Sequence, residues 1–571
     1  MATRPEQLAL ATEFPAATVE QWRALVAGVL RKSGVDTDGA DPVESLLRST
    51  TYDGIAVEPL YDPAPARSLP AAGPWWLLQP VDEPDPADAN KAILADLEGG
   101  VGALWLRLGA DAIPLEGLDR ALSGVYLEFA PVVLDADADY LAAAQTLLAL
   151  AADRGIALTG NLGADPLGLA ARTGESFALE PAAELAVNSG TPQLRTIVAD
   201  GLPYHEAGGS DAEELGAALA AAVAYLRALT EAGLQVEKAA AQLDFRLAAT
   251  ADQFGTIGKL RALRLLWARV GEVAGFSVPA RIHAVTSWSM LTRRDPWVNM
   301  LRATIGCFAA SAGGADSITV TPFDAAIGRS DAFARRIARN TAALLRDEAG
   351  IARAADPAAG SGYVEALTDS LARQAWAWFQ EIERAGGMAA ALRSGLVADR
   401  LGRTRERRLR RIATRADPIT GVSEFPLLDE TPVRRRPFGT NVTSGPDAGL
   451  PRFRYAEPFE VLRDRADAAP ERPTISLVTI GSASAAANFA TNLWNAGGIA
   501  ISSEPGSRVA CICAAPGVPA GDIDQAAAAL RASGAVKVWG TAGSTVDGIV
   551  GEGCDALAIL ADTLTALGVV A

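Results

Sequence analysis

The sequence ISLVTIGSASAAANFATNLWNAGGIAI, residues 475–501, combines an apolar run, a Gly/Ser turn, a stretch with helical periodicity and a second apolar run. This order is typical of the start of a doubly wound α/β domain, in which ligands bind where the first strand ends. The turn at that point, residues 481–488, has mainly alanine and serine, and it lacks a His, a carboxylate and a glycine-rich phosphate pattern. The sequence therefore predicts a binding frame whose turn lacks the side chains that usually hold a ligand.

Eight short apolar runs alternate with helical stretches farther upstream, over about 250 residues. This number of strands and this length are typical of a (β/α)8 TIM barrel, in which a helix follows each parallel strand. A long open α/β sheet is the alternative. The runs are residues 74–80, 101–108, 124–131, 156–162, 195–201, 242–249, 277–287 and 316–324.

We predict four units along the chain. Residues 1–50 form an N-terminal helical arm with one amphipathic helix, and residues 51–400 form the barrel with its C-terminal helices. Residues 401–473 form a linker, of which the proline-rich second part is expected to be extended. Residues 474–571 return to strand–helix alternation and form a small, flavodoxin-like, doubly wound domain.

Charge and composition narrow the classes of partner. The chain has 51 basic and 68 acidic residues and a formal net charge of −17, which disfavours nucleic acid and anionic membranes. No run approaches the length of a membrane span and the N-terminus lacks the order of a secretory signal, so we expect a cytoplasmic protein. One basic run, residues 401–415, has Leu401, Leu409 and Ile412 at helical spacing, which indicates a helix docked on its own chain.

The two histidines of the chain both fall near predicted barrel strands. His205 follows the fifth run, next to Glu206, and His283 lies within the seventh. Either could act as a general acid or an electrostatic catalyst, since catalytic groups of barrels lie at strand ends; a structural histidine is the alternative. Neither has metal-binding residues at suitable spacing, so we expect no metal site. The four cysteines are expected to be buried thiols rather than a disulfide framework.

Several long segments resemble the methylmalonyl-CoA mutase family, whose members have a substrate barrel, a linker and a C-terminal cobalamin domain. The resemblance is carried by TYDGIAVEPLYD (51–62), FGTIGKLRALRLLWARV (254–270), RIHAVTSWSMLTRRDPWVNMLRATIGCFAASAGGADSITVTPFDAAI (281–327), FARRIARNTAALLRDEAGIARAADPAAGSGYVEALTDSLA (333–372) and AGGMAAALRSGLV (385–397). It implies adenosylcobalamin chemistry on acyl-CoA substrates.

The resemblance also relates the alanine-rich turn at residues 481–488 to a motif of the family. Catalytic members carry DxHxxG there, and its His binds cobalt; in this chain the three motif positions correspond to Ala483, Ala485 and Asn488. The turns that hold the nucleotide tail of the cofactor are replaced by AAPGVPAGD (514–522) and GTAGSTVDG (540–548). These departures imply a degenerate cobalamin-type domain, so that no residue of this chain is expected to bind the cofactor.

The barrel departs from the catalytic pattern as well. The segment before the first strand lacks the Arg-Pro-Trp of catalytic members, and a Ser-Gln pair of the pattern is replaced by Ala284-Val285. YHEAGG (204–209) resembles the loop of the family's active-site histidine, and Arg281 begins the strand that holds CoA and substrate. His205 and Arg281 are therefore expected to be inherited remnants rather than catalytic residues.

This pattern resembles the small, non-catalytic subunit of heterodimeric bacterial mutases. The resemblance implies a homologous large subunit that holds adenosylcobalamin, binds the acyl-CoA and interconverts methylmalonyl-CoA and succinyl-CoA. We expect the N-terminal helix and the 417–473 connector to contact that partner. Two alternatives remain: a competent mutase without a histidine ligand, and a free-standing barrel enzyme that uses His205 and Glu206 on another acyl substrate.

Overall fold

The structure is a computed structural model that describes residue 15 and residues 17–37, 42–67, 75–438, 449–502 and 506–569. The start of the first predicted strand, Pro74, lies outside the described residues, as does part of the predicted connector, residues 439–448. Within the described ranges, no helix has the length and apolar composition that crossing a membrane requires.

Eight parallel strands form a closed barrel, as predicted, because the eighth strand pairs with the first through Ser317 and Trp76. Each strand pairs with the next one along the chain. The strands are β1 Trp76–Val81, β2 Ala103–Arg107, β3 Val132–Asp135, β4 Gly160–Ala164, β5 Leu194–Asp200, β6 Leu243–Ala249, β7 Ile282–Thr286 and β8 Ser317–Thr319.

The third strand was predicted at residues 124–131, and that prediction is wrong. The apolar run there forms turns, and its Tyr126 and Phe129 are 73% and 81% exposed, whereas the strand is the buried run that follows Pro131. Aromatic residues favour strands in general, so composition alone could not separate an exposed aromatic loop from the strand beside it.

A glycine allows the close approach of β3 and β4. Gly160 begins β4 with a φ of +123°, and a Cβ atom built there would lie 2.0 Å from the carbonyl oxygen of Val132. A side chain at this position would therefore push the two strands apart.

Helices alternate with the barrel strands along the chain, and further helices follow the last barrel strand. The helices are α1 Val19–Lys32, α2 Val43–Leu47, α3 Pro86–Glu98, α4 Leu118–Ala121, α5 Tyr140–Arg154, α6 Pro166–Thr173, α7 Glu180–Ser189, α8 Leu202–Glu206, α9 Asp211–Glu231, α10 Val236–Ala240, α11 Gln253–Ala274, α12 Val298–Ala312, α13 Ala332–Ala343, α14 Gly362–Arg384, α15 Met388–Arg393, α16 Leu396–Ala413, α17 Glu457–Asp467, α18 Ser484–Ala496, α19 Ala520–Ala532 and α20 Ala556–Ala566.

A second sheet lies near the C-terminus. Its five parallel strands have the spatial order β10-β9-β11-β12-β13, so the first strand in sequence lies second in the sheet. Cys511 and Cys513 are buried in this sheet, whereas Cys554 is only half-buried. The strands are β9 Thr474–Ile480, β10 Ala500–Ser502, β11 Val509–Ala514, β12 Lys537–Gly540 and β13 Gly548–Ile549.

Helix α16 joins the barrel to the connector and docks on its own chain. It buries Leu401 and Ile412, and the guanidinium of Arg408 lies over the rings of Tyr52 and Tyr455 at 4.1 and 4.8 Å. The connector contains helix α17, which the prolines of this stretch did not suggest. The division of the chain at residues 50, 400 and 473 remains a prediction.

Candidate functional site

His205 lies in the short helix α8, which follows β5 directly. Its Nε2 atom is 2.6 Å from the Ser287 hydroxyl oxygen, and the side chain is buried. Burial, reinforced by the Lys259 ammonium, lowers the pKa of His205 to about 3. The imidazole is therefore neutral near pH 7 and poorly suited to exchange protons with a substrate.

A buried ion cluster fixes the other side of this histidine. The Nζ atom of Lys259 is 2.6 Å from Glu214 and 2.8 Å from Asp211, and Glu214 also accepts a hydrogen bond from the backbone N–H of Ala248. The two carboxylates raise the pKa of Lys259 despite its burial. These contacts join α9, α11 and β6, so the cluster has the features of a structural brace.

Glu206, the neighbour of His205 in sequence, belongs to a different contact. Its carboxylate accepts a hydrogen bond of 2.6 Å from Arg452, whose guanidinium stacks 3.7 Å over the ring of Trp288. The structure therefore gives His205 and Glu206 separate partners, Ser287 and Arg452. That separation weighs against the alternative in which they form an acid–base pair.

The axis of the barrel is filled by the side chain of Trp105, which extends inward from β2. The guanidinium carbon of Arg246 lies 4.5 Å from the centre of its ring, and the His283 ring meets it edge-on at 5.1 Å. The buried apolar residues packed in the same cluster are Leu78, Ala103 and Val285.

Charged side chains form a layer at the carboxyl ends of the strands. Arg246 donates a hydrogen bond of 3.2 Å to Asp200, which also lies 3.5 Å from Arg172. Arg107 approaches Asp135 at 3.8 Å. Burial opposes ionisation of Asp135, but Arg107, Arg246 and Arg172 hold its pKa below the usual value. Each arginine of the layer is thus paired with an aspartate at the end where barrel enzymes bind substrate.

A cavity of about 540 Å³ opens at the opposite, amino-terminal mouth of the barrel. Arg246 and His283 line its inner end, and Arg195 and Arg281 lie where their strands begin. Arg281 is 3.9 Å from Asp244, which Arg195 approaches at 3.3 Å. Since Arg281 precedes β7 and His205 follows β5, these two residues lie at opposite ends of the barrel.

The alanine-rich turn of the C-terminal sheet follows β9. Ala483 is buried at the start of α18, whereas Ala485 and Asn488 are exposed on its first turns. The turn after β12 is folded onto α19, because Asp524 accepts hydrogen bonds from the backbone N–H groups and hydroxyls of Ser544 and Thr545. Among the described residues, no group of three or more His, Cys, Asp or Glu is placed to hold a metal ion.

Comparison with known proteins shows the family to which the chain is related. A family model described as methylmalonyl-CoA mutase matches residues 71–445. The chain belongs to this family. It is therefore related to isomerases, and the family in general uses adenosylcobalamin.

Several curated relatives carry names that specify a subunit. The chain is 50% identical to the methylmalonyl-CoA mutase small subunit of Streptomyces virginiae, over 98% of each chain. It is 42% identical to a probable small subunit of Mycobacterium tuberculosis, over 91% of each. The methylmalonyl-CoA mutase of Escherichia coli is 37% identical over 42% of this chain and 35% of that protein.

One solved structure that resembles part of the chain is the tryptophan synthase alpha chain of Legionella pneumophila. It has 14% identity and a TM-score of 0.22, with 54% of this chain and 92% of that chain covered. Such a likeness is too weak to bear on function.

Sequence reasoning missed the residues that fill the barrel. Trp105 and Arg246 were not singled out, although both lie inside predicted strands. The available signal was the alternation of strand side chains: Ala103, Trp105 and Arg107 share one face of β2, and a Trp and an Arg are unusual on the inner face of a strand in an open channel.

Proposed function

We propose that this chain is the non-catalytic small subunit of a two-subunit methylmalonyl-CoA mutase. In this assignment a homologous large subunit binds adenosylcobalamin and the acyl-CoA and interconverts methylmalonyl-CoA and succinyl-CoA. The names of relatives that match over 98% of their length support the subunit role. The cytoplasmic location expected from the sequence remains a prediction.

The observation that carries the proposal is the filled barrel axis. Trp105, packed against the neighbouring side chains of Arg246 and His283, occupies the path along which a thioester would have to reach the carboxyl end of the barrel. Above it, each arginine of the Arg–Asp layer is already paired with an aspartate, and Asp200 is shared by Arg172 and Arg246. The role of His205 and Arg281 as remnants fits their separation in the fold.

The C-terminal sheet supports the same assignment. We assign it to the flavodoxin-like class, because its strands have the order 2-1-3-4-5 of that class. The side chains after β9 do not fit a cobalamin held through histidine, since Ala485 offers a methyl group where a ring nitrogen would be required. The turn after β12 is tied to Asp524 rather than left open for a nucleotide tail.

The experiment that tests this assignment is a titration of the isolated chain with adenosylcobalamin, followed by visible absorption. We expect the spectrum of the free cofactor. The triple variant Ala483→Asp, Ala485→His and Asn488→Gly should also fail to bind, because the altered turn at residues 541–547 remains.

Two results of this titration would count against the assignment. A histidine-ligated spectrum with the unmodified chain would show that it holds the cofactor itself. Tight binding by the triple variant alone would leave the subunit role intact but would show that the turn after β12 matters less than we infer.

A further inference from the structure

Helix α12, which follows β7 on the outside of the barrel, has an apolar outer surface. Within this helix, whose residues are all described, only Leu301 and Ile305 are exposed, at 64% and 39%. Outer helices of barrels normally present polar residues to water. A row of exposed apolar residues on such a helix is expected to be covered by a partner.

The single charged residue of α12 does not compensate for this surface. Arg302 donates hydrogen bonds of 2.6 Å to the carbonyl of Thr420 and 2.8 Å to Asn299 Oδ1, so its guanidinium is directed along the protein surface. Burial lowers the pKa of Arg302 to about 10. The guanidinium thus fastens the connector to α12, and the outward side of the helix is left to apolar residues.

The apolar surface continues beyond α12 through aromatic contacts. Trp297, 47% exposed, stacks on Phe323 at 4.9 Å, and Phe323 meets Phe333 at 6.3 Å. Phe333 lies at the start of α13 and is 44% exposed. We call Trp297, Leu301, Ile305 and Phe333 the helix-12 face.

We propose that the helix-12 face is a central part of the surface that the large mutase subunit covers. This inference rests on the proposed function. The face has two aromatic and two aliphatic side chains exposed and no charge of its own, which is the composition of the buried centre of a permanent interface.

The charge of the chain favours a different subunit over a second copy. Each copy carries a net charge of −17, and the exposed guanidinium of Arg336, which lies 5.6 Å over the ring of Phe333, offsets only part of the repulsion between two copies. The relatives that match along their whole length are named as small subunits, which implies a larger partner. An apolar surface on that partner would bury the side chains of the helix-12 face without the repulsion between two identical copies.

The test compares the same substitution inside and outside the face. Leu301→Glu and Ile305→Glu introduce a carboxylate on the face, and Val273→Glu introduces one at a 71% exposed position of α11. The dissociation constant of each variant for the large subunit is measured at a fixed salt concentration. We expect the two face variants to bind at least about tenfold more weakly, and the Val273 variant within about twofold of the unmodified chain.

The possible results distinguish a failure of the helix-12 face proposal from a failure of the proposed subunit role. Because the substituted positions are exposed, the melting temperature of each isolated variant should be unchanged, and this is checked first. Undiminished affinity of the face variants for the large subunit would overturn the proposal while leaving the subunit role in place. If the unmodified chain does not bind a large subunit at all, the proposed function itself fails. Self-association of the chain that Leu301→Glu abolishes would assign the face to a second copy and would also overturn the proposal.

Discussion

Trp105 illustrates how one residue can close a barrel. Its indole contacts both the guanidinium of Arg246 and the ring of His283, so that cation–π and edge-on aromatic contacts add to the burial of a large apolar surface. The Trp105 side chain, which fills the inside of the barrel, therefore also contributes to the stability of the folded chain.

The substitution Trp105→Ala should destabilise the chain by about 3–5 kcal/mol, because it removes a buried indole and leaves a cavity between Arg246 and His283. Chemical denaturation of the isolated chain measures the loss. Trp76→Ala at the amino-terminal mouth is the matched control, since that side chain is 42% exposed and should cost clearly less. Equal losses would mean that Trp105 is not the packed centre that the structure indicates.

His283 gives a pH dependence whose sign follows from its surroundings. The ring is buried, its Nε2 atom is 2.8 Å from the Thr319 hydroxyl, and burial together with Arg246 lowers its pKa well below the usual value. The unfolded chain takes up a proton on this ring as the pH falls below about 6.5, whereas the folded chain does not. Its contribution to stability is therefore present above that pH and is lost on acidification.

The variant His283→Gln should lack this contribution. Between about pH 7.5 and about pH 5, the unmodified chain should lose about 2 kcal/mol more of its free energy of unfolding than the variant does. Urea denaturation of both proteins at both pH values gives the difference, and the other ionisable groups are common to the pair. Identical pH dependences would show that His283 is protonated in the folded chain.

At the scale of elements, patterns of apolar residues predicted most of the barrel but not its third strand. The run at residues 124–131 and the strand at Val132–Asp135 are adjacent and similarly apolar, and only burial distinguishes them. The exposed row on α12 was equally hard to find, because a mainly apolar helix in a sequence looks the same whether its own chain or another chain covers it.

The N-terminal helix α1 was predicted at about residues 18–32, and the structure confirms it with a capping box at Thr18. None of its residues is buried, and Leu25 and Val29 are 72% and 63% exposed. A salt bridge of 2.6 Å between Arg23 and Glu44 joins it to α2. The apolar face of this helix is therefore not covered by the described part of its own barrel.

Removing residues 1–40 should weaken binding to the large subunit and leave the barrel folded. An isolated helix of this length is marginal in water, so we expect its apolar side to be covered by the partner. Affinity measurements give the first effect, and circular dichroism and thermal melting of the truncated chain give the second. Full affinity after truncation would place the interface elsewhere.

At the scale of the whole molecule, the sequence predicted the closed barrel and the separate strand–helix repeat near the C-terminus. The missing histidine of that repeat could be read directly, because it depends on residue identity. The packing of Trp105 inside the barrel could not be read in this way, because it depends on which strand side chains meet there. Trp105, Arg246 and His283 lie far apart in sequence and meet only once the barrel is closed.

On the proposed function, this chain supports a mutase without holding its cofactor. The most direct test is the number of adenosylcobalamin molecules per pair of chains in the purified complex with the large subunit, from visible absorbance and protein concentration. We expect one cofactor per pair, all of it retained by the large subunit when the chains are separated. Two cofactors per pair, or any histidine-ligated cofactor that remains with this chain, would show that this chain holds cofactor itself.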